Sequence, residues 1–378
     1  MRILLVRTLS LAALGLTALA ACDGQSVDDA QRAIDQASQS AVGTGSKPVA
    51  NGDPQCDLIA ALPQRNGNLA GWLQSAHIDK GEGFQLPDAA ALGQFQSAFE
   101  SLLRDGATAQ TVSAFDALGF ELGGYVDDSQ AFYFVLEEKA PRTGGGTYVV
   151  NPSASRELWL EVPHADSDQG TLKQGAEQLV ALGARALLIT GSNRCASEEP
   201  SPCDGKTAKC GGKLRRSDVA HAEDNFFMSA HRALRAVHPN GIAVNLHGME
   251  TTGKEAAVLS DGTKNANPSS VANGVRTALN AKLGGGGAKA FSCNDPSDTG
   301  YRDLCGTSNV QGRFDNGSSN ACTVAPTSST GKFLHLEQDA NLRGGGGKAL
   351  IDALAEVIPC TGGGQGGQGC GTGVPVCR

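Results

Sequence analysis

Three short segments constrain the fold of this chain most strongly, because each has the apolar pattern of a buried strand and leads to a polar side chain. They are ELWLEVPH at 157–164, GIAVNLH at 241–247 and KFLHLE at 332–337. In an open α/β sheet, the carboxyl ends of the strands face one crevice, so side chains from distant parts of the sequence converge there. We therefore expect His164, His247 and Glu337 to share one site.

The order of strand and helix patterns predicts the fold class. From about residue 146 onward the two patterns alternate, which indicates an α/β fold with a mixed, mostly parallel sheet covered by helices on both faces. Before that point, a helical pattern at 89–104 and a strand pattern at 131–138 suggest a small lobe packed on the core, and the glycines at 144–146 predict a hairpin that leads into the next segment. Later helices are predicted at 171–182, where Thr171 and Gln174 form a capping-box pattern, at about 220–237 and at 347–357. The predicted divisions are a signal peptide at 1–21, a flexible tether at 22–55, the N-terminal lobe at 56–145, the α/β domain at 146–359, and a glycine- and cysteine-rich tail at 360–378.

The first residues have the layout of a secretory signal. Arg2 and Arg7 precede an apolar run at 9–21 that is short for a membrane span. The run ends on Leu-Ala-Ala followed by Cys22, which resembles a bacterial lipoprotein signal, in which the cysteine receives the lipid and becomes the mature amino terminus. The alternative is an ordinary signal peptide. The resemblance implies a protein of the bacterial cell envelope, anchored to the membrane by lipid on its periplasmic or surface side.

The cysteine count agrees with export to an oxidising compartment. Of 11 cysteines, ten remain when Cys22 is set aside, and no C-x-x-C pair suggests a structural zinc site. We expect five disulfides that hold long loops, with a connectivity that the sequence leaves open. The ten are Cys56, Cys195, Cys203, Cys210, Cys293, Cys305, Cys322, Cys360, Cys370 and Cys377.

The charge of the chain restricts its partners. The formal net charge is -8, and removal of a signal with two arginines makes it -10. Such an acidic chain is a poor ligand for nucleic acid or for anionic lipid through a basic face. We expect a small-molecule or peptide substrate instead. The 50 glycines include two GGGG runs, which predict long loops around the core.

The two strand-end histidines are candidate metal ligands. His164 is followed at once by Asp166 and Asp168, and His247 is followed by Gly248, which allows close backbone approach. Two imidazoles and one carboxylate form a donor set that catalytic zinc uses. The alternatives are a hydrogen bond from His164 to one of the two aspartates and a satisfied His247 in a polar crevice.

The third segment offers a candidate general base. In KFLHLE, Glu337 shares one face with His335 while leucines occupy the other face. A glutamate within an apolar strand is rarely there for packing, so proton transfer or metal binding is the expected task. An ion pair with Arg343 is the structural alternative. His221 could line the site, whereas His231 and His238 fit a packed helix.

At this point the chain resembles the zinc carboxypeptidase-like amidohydrolases, a group that includes N-formylglutamate amidohydrolases and poly-γ-glutamate hydrolases. The resembling pieces, in order, are VPHADSD, VNLHGM and FLHLEQDANLR. The resemblance implies that His164 and His247 bind one zinc ion and that Glu337 activates water. One departure matters: Ser167 stands where carboxypeptidases have the glutamate ligand. Either Asp166 or Asp168 must then be the third ligand, or the site holds no metal.

Two arginines are candidates for binding a substrate carboxylate or an oxyanion. Asn193 and Arg194 resemble the asparagine–arginine pair with which carboxypeptidases hold substrate, although anchoring of the loop at Cys195 explains Arg194 equally well. Arg313, in a polar segment, is a second candidate clamp. The expected activity is zinc-dependent hydrolysis of peptide or γ-glutamyl-like amide bonds. The alternative is a non-catalytic surface lipoprotein that uses a degenerate hydrolase fold as a binding module.

Overall fold

The computed structural model describes residues 53–76, 83–251, 253–284, 287–344 and 347–361. The predicted signal peptide, the lipidation site at Cys22 and most of the predicted tether and tail lie outside these ranges. Among the helices within them, none combines the length and apolar character that a membrane span requires.

A ten-stranded mixed sheet forms the centre of the described structure, with the strand order β1-β2-β3-β4-β6-β5-β7-β10-β8-β9. Five of its nine neighbouring pairs are parallel. The predicted mixed, mostly parallel α/β fold is therefore confirmed. The strands are β1 (Gln64–Gly67), β2 (Phe120–Asp127), β3 (Phe132–Glu138), β4 (Thr147–Val150), β5 (Leu158–Val162), β6 (Ala186–Ile189), β7 (Ile242–Gly248), β8 (Glu255–Ser260), β9 (Lys289–Ser292) and β10 (Phe333–Gln338).

Helices cover both faces of this sheet. On one face α1, α3, α4 and α6 pack over an aromatic-rich core, and on the other α2, α5, α7 and α10 pack over an aliphatic core. The helices are α1 (Pro54–Ala61), α2 (Leu69–Ala76), α3 (Ala89–Asp105), α4 (Ala109–Ala117), α5 (Thr171–Leu182), α6 (Phe226–Val237), α7 (Val271–Leu283), α8 (Val310–Asp315), α9 (Ala340–Arg343) and α10 (Gly347–Val357).

The N-terminal region shares the sheet with the rest of the chain. Strands β2, β3 and β4 pair antiparallel in succession, and β4 pairs antiparallel with β6 of the α/β region. The β3–β4 pairing agrees with the predicted hairpin around the glycines at 144–146. This region is therefore joined to the core by continuous hydrogen bonding as well as by packed helices.

Strands β5, β7 and β10 are adjacent and parallel at the centre of the sheet. Along β7, Val244 and Leu246 belong to the aliphatic core, while Asn245 and His247 point to the opposite face. In β10, His335 pairs in register with Asn245, and Glu337 pairs with His247. The alternation that the sequence shows thus places a polar row on one face at the strand ends.

Disulfides connect residues that lie outside the strands of the sheet. The pairs are Cys195–Cys210, Cys203–Cys322 and Cys293–Cys305, and Cys56 and Cys360 are disulfide-bonded as well. The expectation of loop-holding disulfides is confirmed for the three pairs. Cys203–Cys322 spans 119 residues and connects two long loops, a pairing that sequence proximity alone would not suggest.

One predicted helix cap and one predicted helix start differ from the structure. Gly170 caps α5 without a side-chain hydrogen bond, and the Thr171 hydroxyl donates to the Asp168 carbonyl, so the predicted Thr171–Gln174 capping box is wrong. Helix α6 begins at Phe226 after an Asn225 cap, because the Asn225 side chain accepts the Met228 N–H. The residues from 220 to 225 therefore form turns.

Candidate metal centre

The turn after β5 brings His164 and Asp168 together. The strand ends at Val162, and the Asp168 N–H donates to the His164 carbonyl at 2.9 Å, which closes one turn of backbone. Residues four apart in such a turn lie on the same side, so the two side chains can face one point. Asp168 is thus positioned by local backbone geometry.

Three side-chain atoms form a nearly equilateral triangle at the ends of β5 and β7. His164 Nδ1 lies 3.2 Å from Asp168 Oδ2 and 3.1 Å from His247 Nδ1. His247 Nδ1 lies 3.3 Å from the same Asp168 oxygen. We call His164, Asp168 and His247 the ligand triangle. His164 is 1% exposed and His247 is 5% exposed, so the triangle is shielded from bulk water.

A buried carboxylate orients the first histidine of the triangle. Asp218 Oδ1 accepts a hydrogen bond from His164 Nε2 at 2.9 Å, and Asp218 is 1% exposed. With Nε2–H donated to Asp218, the Nδ1 lone pair is available to a metal ion. Metal-ligating histidines commonly have a carboxylate partner of this kind on their second nitrogen.

A backbone amide orients the carboxylate of the triangle. The Gly248 N–H donates to Asp168 Oδ2 at 3.0 Å. A Cβ atom at Gly248 would lie 2.5 Å from Nη1 of Arg343, so a larger residue there would require this guanidinium to move. Arg343 itself donates to the carbonyls of Gln169 and Gln338. The ion pair between Arg343 and Glu337 that the sequence left open is not among the ion pairs of the described residues.

The charges around the triangle favour a cation. Burial and the nearby Arg194 lower the pKa of His164, but Asp218 and Asp168 outweigh them and raise it to about 9. Burial raises the pKa of Asp168, but hydrogen bonds from both histidines of the triangle hold it well below its usual range. In the absence of a metal, this site therefore stabilises positive charge on His164, where a bound cation would replace the proton.

The second histidine of the triangle has a different environment. Burial lowers the pKa of His247 to about 4, so its ring is neutral at physiological pH. A neutral imidazole is the form that binds metal ions. Its ring centroid lies 4.7 Å from that of His335 and 4.8 Å from that of His164.

Glu337 lies beside the triangle at the end of β10. Its side chain is 17% exposed, and its Oε1 is 4.0 Å from His335 Nε2. Burial and the Asp168 carboxylate raise the pKa of Glu337 to about 8, against the lowering effect of nearby positive charges. A carboxyl group with a pKa near neutrality is suited to accept and return a proton.

Arg194 lies at the triangle, as its proposed role requires. Its Nε and Nη2 donate to Asp218 Oδ2 at 3.1 and 2.8 Å, and its Nη1 lies 3.3 Å from His164 Nδ1. The neighbouring Asn193 donates to the Asp166 carboxylate and accepts the Cys195 N–H at 2.8 Å. Asp166 is therefore part of the loop anchor, and Asp168 alone of the two candidate aspartates completes the triangle.

Arg313 has a different environment from the one expected of a carboxylate clamp. It is 3% exposed, its Nε donates to the Thr307 carbonyl at 2.7 Å, and its Nη1 donates to the Cys322 carbonyl at 2.7 Å. It also forms an ion pair with Asp204. These bonds hold the loops joined by Cys203–Cys322, so the structure places Arg313 as a loop anchor among buried backbone carbonyls.

Two residues at the site, Asp218 and His221, have only weak signals in the sequence. Asp218 accepts hydrogen bonds from His164 and Arg194, and His221 Nδ1 lies 3.2 Å from the same carboxylate. Both residues fall in turns between the Cys195–Cys210 loop and α6, where no periodic pattern marks a side chain as buried. The only local signal was the Asp-x-x-His spacing, which is common in turns.

Comparisons with known proteins give distant structural likenesses. No protein-family model and no curated protein matches this sequence. A "putative carboxypeptidase" from Burkholderia mallei aligns with 66% of this chain and 68% of its own length, at 12% identity and a TM-score of 0.32. Two "putative metallopeptidases", from Shewanella amazonensis and Shewanella denitrificans, also align with 66% of this chain and with 93% and 91% of their own, at 11% and 12% identity and TM-scores of 0.29 and 0.27. Identities and TM-scores this low do not indicate a function, so the chemistry of the site is inferred from its geometry alone.

Proposed function

We propose that this chain is an envelope-anchored, zinc-dependent hydrolase of amide bonds. His164, Asp168 and His247 would hold the metal, and Glu337 would act as the general base. The substrate would be a peptide or γ-glutamyl-like compound with a free carboxylate. The lipid anchor at Cys22 belongs to this proposal through its sequence context.

The size of the ligand triangle is the observation that carries the proposal. Around a tetrahedral zinc ion with ligands at about 2.0–2.1 Å, neighbouring ligand atoms lie about 3.3 Å apart. The three sides of the triangle measure 3.1, 3.2 and 3.3 Å. Two nitrogens and one carboxylate oxygen leave the fourth position open, which is the arrangement of catalytic rather than structural zinc sites.

The surrounding residues supply the remaining tasks. Zinc in this triangle would polarise the amide carbonyl and make a water molecule more acidic. Glu337 would take the proton from that water and return it to the leaving amine. Arg194 would stabilise negative charge that develops on the carbonyl oxygen, because its Nη1 reaches the triangle while Asp218 holds the rest of the guanidinium.

The proposed location in the cell envelope fits the proposed substrate class. A lipid anchor would place the site in the cell envelope, where stem peptides and γ-glutamyl compounds occur outside the cytoplasm. The disulfides are compatible with such a compartment. The acidic net charge of -8 argues for a small or peptide substrate over a polyanion.

Metal analysis of the chain purified without chelator tests the proposal. We expect about one zinc ion per wild-type chain and loss of that ion in His164→Ala and in His247→Ala. His238→Ala is the matched control, because His238 follows α6 at the opposite end of β7 and pairs with Glu157. Glu337→Gln should keep the metal but lower kcat by about 10²–10⁴-fold on a carboxylate-bearing peptide or γ-glutamyl substrate.

Absence of both metal and activity would assign the chain to the class of non-catalytic binding modules. If the wild-type protein holds no stoichiometric metal and hydrolyses neither kind of amide, it is a binding module on a hydrolase-like scaffold. If it binds metal but Glu337→Gln retains full activity, the general base is another residue. Thermal unfolding of each variant separates loss of metal from loss of fold.

A further inference from the structure

His247 carries a second nitrogen that the ligand triangle does not use. Its Nε2 is buried without a hydrogen-bond partner, and so is Nδ1 of the neighbouring His335. Both residues are at most 5% exposed, and their ring centroids are 4.7 Å apart. Because buried polar atoms nearly always have a partner, two unpartnered nitrogens in adjacent rings indicate a place for a ligand.

Glu337 completes a second donor set with these two rings. One ligand atom from each of His247, His335 and Glu337 lies within 4.8 Å of the others. The ring of His335 packs against Gly306, where a Cβ atom would come within 2.7 Å of it. Two imidazoles and a carboxylate suit zinc and other divalent transition metals.

We propose that His247, His335 and Glu337 form a second site for a divalent transition-metal ion, adjacent to the ligand triangle and weaker than it. The spacing supports the order of affinity: the His335 nitrogen beside Glu337 is Nε2, at 4.0 Å from Oε1, whereas the unpartnered nitrogen is Nδ1. The ring or the carboxylate must therefore shift before one ion can contact all three residues. In addition, His247 would bind one ion through each nitrogen and must release its Nε2 proton to solvent to do so.

Occupancy of this second site would regulate the proposed hydrolase, and this step rests on the proposed function. Glu337 cannot serve as a metal ligand and accept a water proton at once. An ion held by His247, His335 and Glu337 therefore withdraws the general base. We expect activity to rise as the first ion binds and to fall again when the second ion binds.

Counting bound ions tests the second site. The full chain is stripped with a chelator, titrated with Co²⁺ or Zn²⁺, and examined by native mass spectrometry at each addition. Wild type should bind two ions in separate steps, whereas His335→Gln should bind one. His238→Gln is the matched control and should bind two. Glu337→Gln provides a second variant that keeps His335 packed on Gly306, and it should weaken the second step at least tenfold.

The outcomes separate the two proposals. If wild type binds one ion, or if both His335→Gln and Glu337→Gln retain an unchanged second step, the second site is refuted while the proposed function stands. If wild type binds no ion, the proposed function itself fails. If His335→Gln binds none because it does not fold, as thermal unfolding would show, the second step in Glu337→Gln decides.

Discussion

Two buried clusters of ionisable side chains lie on the same face of the sheet, and they differ in how completely their hydrogen bonds are satisfied. In the first, which we call the structural cluster, His231 Nδ1 lies 2.6 Å from Glu161 and Nε2 lies 3.1 Å from Asp315. Arg235 donates twice to the same Asp315 carboxylate, at 2.7 Å each. Glu161 also accepts the amide of Asn245 at 2.9 Å.

The second cluster, around the ligand triangle, is incomplete. His247 Nε2, His335 Nδ1 and Asp166 Oδ1 are buried without partners. The structural cluster has no such atom, and its histidine and both carboxylates are fully buried. Burial of charge alone therefore does not mark a functional site. Of these two clusters, the one in which every group is paired serves the fold, and the one with unpaired atoms forms the candidate site.

The largest expected effect in this comparison is the loss of one partner from the structural cluster. Asp315→Asn leaves His231 and Arg235 without their shared carboxylate, and breaking a buried pair in this way costs about 3–5 kcal/mol. We expect the free energy of unfolding, measured in urea, to fall by that amount while the affinity of the folded chain for zinc stays the same. Asp352→Asn is the control, since the exposed Lys348–Asp352 pair contributes at most about 1 kcal/mol. A loss of zinc affinity in Asp315→Asn would mean that the clusters are coupled.

The structural cluster should also make stability depend on pH. Burial lowers the pKa of His231, but Asp315 and Glu161 outweigh it and raise the pKa from 6.5 to about 9. A raised pKa stabilises the fold fully below pH 6.5, and that contribution is lost as the pH rises through about 9. At about 1.4 kcal/mol per pKa unit, the loss is on the order of 3 kcal/mol. The difference in unfolding free energy between wild type and His231→Gln, both metal-free, should shrink over this range, and a constant difference would contradict the assignment.

The smallest expected effect concerns the carboxylate that orients the ligand triangle. Asp218→Asn weakens the hydrogen bond that holds His164 in its metal-binding tautomer, so zinc affinity should fall by about 10–100-fold. Competition with a chromophoric chelator measures this change. Asp315→Asn is the matched substitution in the structural cluster and should leave zinc affinity unaltered. Equal affinities in wild type and Asp218→Asn would show that Asp218 serves only to hold Arg194 and His221.

Much of the fold follows from local sequence patterns. The apolar alternation in β5, β7 and β10 predicted three central strands, and their order of connection predicted parallel pairing. The helical spacing predicted α5 and α10 with the bounds that the structure has. These elements could be predicted because buried side chains repeat every 2 residues in a strand and every 3.6 residues in a helix, and such a repeat shows within a short segment.

The sequence predicted only part of the candidate site. His164, His247 and Glu337 stand at strand ends, so their convergence followed from the fold class. The fold class did not predict which of Asp166 and Asp168 completes the triangle, because both follow the strand within one turn. That choice depends on the Asp168 N–H to His164 bond, on the Gly248 amide and on the capture of Asp166 by Asn193.

Alternation and strand order are local properties, so the amino-acid sequence indicates which side chains stand at the ends of the three parallel strands. Which of these side chains meet at one point depends on long-range contacts. Asp218 reaches His164 from 54 residues away, through a loop whose shape depends on disulfides and on the buried Arg313. Such contacts form between segments with no shared periodicity, so no local pattern encodes them. The ligand triangle therefore became visible only as three distances of 3.1 to 3.3 Å.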